Sequence, residues 1–82
     1  MNETVYKRTL KVVEQISGRK IDHIDPDGEI KEQLTLDSIQ LVELFAALEI
    51  EFKVDLPLGM MSLVNAGEFL EQLHNVVNNG TN

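Results

Sequence analysis

Apolar residues recur at helical spacing in three stretches of this chain and without regular spacing between them. From Glu3 to Ser17, Val5, Thr9, Val12, Val13 and Ile16 gather on one side while Lys7, Arg8, Lys11 and Glu14 fall on the other, which predicts an amphipathic helix. Gly18 predicts its end, because glycine accepts the left-handed conformation that follows a last turn. From Arg19 to Asp37 the pattern breaks. Ile21, Ile24, Ile30 and Leu34 share no helical face, so this segment reads as a long loop pinned by apolar anchors. Asp25-Pro26-Asp27-Gly28 has the residue types of a tight turn, and a single helical turn fits around Glu29 to Gln33.

The second long helix starts at Asp37 or Ser38, since either side chain can accept a hydrogen bond from a first-turn amide. Its core stripe is Leu41, Leu44, Phe45, Leu48 and Phe52. A second apolar strip, Ile39, Val42, Ala46 and Ile50, points well away from that stripe, with Glu43 beside it. A helix apolar on two sides either packs between neighbours or offers one side to a partner. Two placements follow for Ile39, Val42 and Ala46: the centre of a docking patch, or packing under a short helix further along.

Pro57 breaks the pattern after Lys53, and Leu58 to Val64 is long enough for one or two turns. Asn65 and Glu68 have capping-box spacing ahead of a last helix that buries Phe69, Leu70, Leu73, Val76 and Val77, with Gly80 as its stop. The expected fold is all-α: a small four-helix bundle of three principal helices plus one short helix, with a long loop between the first two principal helices. It forms a single domain over residues 1–82, with its core from about residue 3 to 79.

Composition narrows the function. A chain of 82 residues, 43% hydrophobic, closes one modest core and leaves no volume for a deep substrate cleft. With 14 acidic residues against 7 basic ones and a net charge of −7, nucleic acid and anionic membranes are poor partners, and basic protein surfaces are good ones. Cysteine is absent, so neither disulfides nor thiolate metal sites support the fold. The amino terminus opens on acidic and polar residues, and no apolar stretch approaches spanning length, which suggests a cytoplasmic protein acting as a monomer.

No metal site is expected. Placing Gly28 at the sixth position of a calcium loop puts His23 first and Leu34 twelfth, where carboxylates are needed. His23 and His74 lie far apart and have no companion ligands at suitable spacing. The sequons at Asn2 and at Asn79 mean nothing without secretion, and Met60-Met61 reads as core filling.

What remains is a serine at the mouth of the two-sided helix, in Leu36-Asp37-Ser38-Ile39-Gln40-Leu41-Val42-Glu43-Leu44. The Asp-Ser-Ile core, with a helix closing on Leu48-Glu49-Ile50-Glu51-Phe52, resembles the acyl carrier protein family over nearly the whole chain. The resemblance implies that Ser38 carries 4′-phosphopantetheine, moved there from coenzyme A by a phosphopantetheinyl transferase, with Asp37 as the adjacent motif residue. The arm's thiol would hold acyl groups as thioesters for acyl-loading, condensing and other enzymes of fatty acid, polyketide or related biosynthesis. Their basic patches would meet Glu43, Glu49 and Glu51, around an apolar centre of Ile39, Val42, Ala46 and Ile50. The chain itself would catalyse nothing.

The pattern also departs from the family. Thr35-Leu36 stands where Gly-Ala or Gly-Gly is usual, Gln40 replaces an acid, and Glu49-Ile50-Glu51 replaces a continuous acidic run. A specialised carrier with its own enzymes fits these changes. The Gly-Gly-His-Ser pattern of peptidyl carriers is missing, which disfavours an aminoacyl cargo. Two alternatives come from other classes. In one, Asp-Ser merely caps a helix and the domain is an unmodified acidic interaction module. In the other, Ser38 works as a nucleophile with His23 or His74, for which a third member and a cleft are lacking.

Overall fold

The computed structural model describes residues 3–79, so the expected stop at Gly80, Asn2 of the first sequon and Gly80-Thr81 of the second lie outside the described residues. Among them the chain forms α1 (Glu3–Ser17), α2 (Ile30–Leu34), α3 (Ser38–Phe52) and α4 (Ala66–Asn79), with a 3-10 turn over Leu58–Ser62 and no strand. The all-α bundle expected from the pattern is therefore the fold. Its short elements number two rather than one, because Ile30–Leu34 closes as an α-turn and the apolar stretch after Pro57 winds only as 3-10.

α1 packs along α3 and meets α4, and the stripes predicted for these helices line the space between them. Val13, Leu44, Leu48 and Leu73 are completely buried, and Phe45 meets Phe69 with ring centroids 5.5 Å apart. Burying each such side chain contributes about 1.5–3 kcal/mol, which is how an 82-residue chain without cross-links stays folded. Thr9 is the one polar residue among them, and its Oγ1 donates to Val5 O at 2.7 Å, which removes the cost of hiding a hydroxyl. Ile16 and Val77 are only half-buried, since they lie in last turns where the helices leave the core.

The long loop is held at both ends of its course. Gly18 takes φ +74° and turns the chain out of α1. Glu14, read from the pattern as a solvent residue, accepts the Ile21 N–H at 3.0 Å, and Tyr6 Oη accepts that of Ile24 at 2.9 Å. Ile24 and Leu34 are buried anchors as expected. Gln33 then clamps the turn, accepting from Asp25 N–H and donating to Asp25 O, both at 2.8 Å.

Beyond the turn the loop is stitched to the start of α4 by backbone bonds. Ile30 N–H donates to Val64 O, Ala66 N–H to Gly28 O and Gly67 N–H to Pro26 O, at 2.9, 2.8 and 2.9 Å. These bonds, with Asn65 Oδ1 accepting the Glu68 N–H at 3.0 Å, satisfy amides that a helix start leaves without intrahelical partners. Gly67 is required there: a Cβ would lie 2.8 Å from Pro26 O.

Candidate functional site at the start of α3

The approach to α3 alternates buried and exposed residues. Leu34 and Leu36 are buried, and between them Thr35 adopts φ +54° and ψ +48°, the left-handed region. A β-branched residue there is strained by about 1–2 kcal/mol, and glycine would not be. Here Arg19 holds the strained turn, its Nη2 donating to Leu34 O and to Thr35 Oγ1, both at 3.1 Å.

Asp37, not Ser38, caps the helix. Its Oδ1 accepts the Gln40 N–H at 2.7 Å, and Gln40 Oε1 accepts the Asp37 N–H at 3.2 Å, a reciprocal box. Gln40 can close the box without adding a second negative charge at this end of the helix. Ser38 is consequently the first helical residue, exposed, with its hydroxyl released from capping. Lys31, on α2, brings Nζ to 3.4 Å from Ser38 Oγ, long for a hydrogen bond but close for a charge. The pattern analysis missed Lys31. A signal was present, since Lys31 is the only Lys or Arg between Ile21 and Phe52, but only the fold-back of α2 places it beside the serine.

Below Ser38 the second apolar strip of α3 faces outward. Ile39 is 72%, Val42 53% and Ile50 78% exposed, and Ala46 and Glu43 are exposed with them. None of these side chains is covered by the 3-10 turn, the second placement considered from the pattern. The strip ends in an open depression of about 430 Å³ lined by Ala46, Glu49, Ile50, Lys53, Val54 and Asp55.

The three glutamates differ in their commitments. Glu43 stands in solvent. Glu49 is half-buried, and its Oε2 accepts the Leu56 N–H at 2.8 Å, bracing the chain after α3. Glu51 turns back toward α1, where Arg8 Nε donates to its Oε2 at 2.8 Å and Arg8 Nη2 donates to Glu51 O at 2.6 Å. The same guanidinium lies 4.5 Å from the centre of the Phe52 ring.

The histidines are engaged elsewhere. His23 Nδ1 is 3.4 Å from Tyr6 Oη, and His74 Nε2 is 2.7 Å from Asn78 Nδ2. Among the described residues no group of His, Cys, Asp or Glu is arranged to hold a metal, and no helix is long and apolar enough to cross a membrane.

The Ser38 hydroxyl is thus exposed on the first residue of α3, beside Lys31 and an outward apolar strip. The family profile described as a phosphopantetheine attachment site matches residues 7–73. An acyl carrier protein of Rickettsia bellii is 34% identical over 55 residues, covering 67% of this chain and 64% of the relative. The acyl carrier protein of a second strain of that organism is 33% identical over 55 residues, covering 67% of this chain and 68% of the relative. The chain thus spans about two thirds of the length of these relatives. No solved structure gives a significant match. The chain belongs to the phosphopantetheine attachment-site family, a family of non-catalytic carriers.

Proposed function

We propose that the chain is an acyl carrier whose attachment residue is Ser38. The observation that carries this reading is the division of labour at the start of α3: Asp37 caps the helix, which leaves the Ser38 hydroxyl exposed and unspent. The surroundings fit a phosphodiester. The oxygen lies at the start of a 15-residue helix whose only acid at that end, the capping Asp37, is bonded to the Gln40 amide, and a Lys31 ammonium stands beside it.

During loading, Ser38 Oγ attacks the phosphorus that bears pantetheine in coenzyme A. The Oγ–P bond forms, the diphosphate P–O bond breaks, the adenosine bisphosphate half leaves, and the hydroxyl proton passes to a base of the transferase. When bound, the group supplies a flexible arm whose thiol holds acyl cargo as a thioester. The chain's own residues then supply the address. Ile39, Val42, Ala46 and Ile50 offer an apolar docking strip, and Glu43 stands beside it to meet a Lys or Arg of the partner enzyme. Glu49 and Glu51 lie at the strip's far end, but each already serves a partner within the chain, so Glu43 is the acid most available for steering.

Intact mass tests the reading. Incubation with coenzyme A and a broad-specificity phosphopantetheinyl transferase adds one phosphopantetheine to the wild type and none to Ser38→Ala. A wild type that stays bare would instead assign the outward strip to an unmodified interaction module.

A further inference from the structure

We propose that Lys31 is the counter-cation of the phosphodiester on Ser38 and a positioning residue for the first atoms of the arm. The proposal rests on the attachment at Ser38 argued above and adds to it a residue of this chain. Three observations carry it. Lys31 Nζ lies 3.4 Å from the oxygen that becomes the ester. Lys31 is also the only Lys or Arg from Ile21 to Phe52, a span with nine carboxylates, of which Glu32 and Asp37 are near neighbours in sequence. A doubly esterified phosphate keeps one negative charge at neutral pH, and in that acidic setting it would otherwise be repelled from several sides.

The third observation is that the α3 end is already occupied. The Asp37 carboxylate accepts the Gln40 amide at 2.7 Å and so takes up part of the positive potential that the helix start would offer an anion. The balancing charge has to come from outside the helix, and Lys31 is placed to give it. Lys31 also lines a cleft of about 340 Å³, with Ile30, Met61 and Leu63 among the other lining residues. An ion pair at its edge therefore starts the arm along the surface between α2 and the chain after the 3-10 turn, rather than free in solvent.

Phosphorus NMR of the loaded protein reads this directly. After loading with coenzyme A and a broad-specificity transferase, checked by intact mass, the wild-type phosphodiester resonance should be displaced from its position in the urea-unfolded protein. Added sodium chloride should move it back, as screening weakens the pair. Lys31→Ala should already sit near the unfolded position and lose the salt response, Lys31→Arg should restore both, and Lys11→Ala should behave as wild type. Transferase kcat/KM should fall by about fivefold or less for Lys31→Ala, the range of an exposed ion pair. A loaded Lys31→Ala whose resonance and salt response match the wild type overturns the role of Lys31 and leaves attachment at Ser38 standing. A wild type that gains no mass overturns both.

Discussion

Two strips of one helix are built from the same kinds of residue and meet opposite fates. Along α3, Leu41, Leu44, Phe45, Leu48 and Phe52 are buried, while Ile39, Val42 and Ile50 are more than half exposed. Hydrophobicity therefore does not decide burial here; the neighbours available do. α1 packs along one side of α3, with Phe69 of α4 against Phe45, while the side bearing Ile39, Val42 and Ile50 stays open among the described residues. The inner strip holds the bundle together, and the outer strip leaves apolar surface exposed, which is the surface proposed above for docking.

The sharpest way to break this contrast is to truncate the inner strip. Leu48→Ala should lower stability by about 2–5 kcal/mol in urea denaturation, because the side chain is fully buried and the cavity cannot drain to solvent. The next test lies at the helix start. Asp37→Ala should cost about 0.5–2 kcal/mol by the same measurement, through loss of the cap. Ser38→Ala should stay within about 0.5 kcal/mol of wild type, since that hydroxyl supports no helix bond. Equal losses at the two positions would mean that the serine shares the capping, which removes the argument for its freedom. The smallest stability change belongs to the outer strip. Val42→Ser and Ile50→Ser should each shift stability by no more than about 0.5 kcal/mol, while slowing acyl loading by a partner enzyme in stopped-flow or gel-shift assays. Losses approaching those of Leu48→Ala would show that the strip is internal after all.

Much of this architecture was legible in the order of residues. The helical periods placed α1, α3 and α4, Gly18 marked the first exit, and Asp37-Ser38 marked the entrance to α3. Which of those two residues caps was not legible, because both side chains can accept the same amide; Gln40 decides it by returning the second bond to Asp37. The outward strip was visible as a pattern but its exposure was not, since that depends on where the chain after Pro57 runs. Nor could spacing along α3 reveal that Glu49 braces Leu56 or that Glu51 faces Arg8, 43 residues away. Those are tertiary facts. Thr35 is an intermediate case: its departure from the usual glycine was evident, while the left-handed backbone and the Arg19 clamp that make sense of it appear only in the fold.

The stitches between the long loop and α4 run from backbone to backbone, at Gly28, Pro26 and Val64. Apart from Gly67, where a Cβ would strike Pro26 O, bonds of that kind depend less on side-chain identity than on register. A residue added between Pro26 and Ile30 would therefore slide these stitches past their mates and release α2, and Lys31 with it, from its place beside the serine, whereas one added earlier in the loop would leave their register intact.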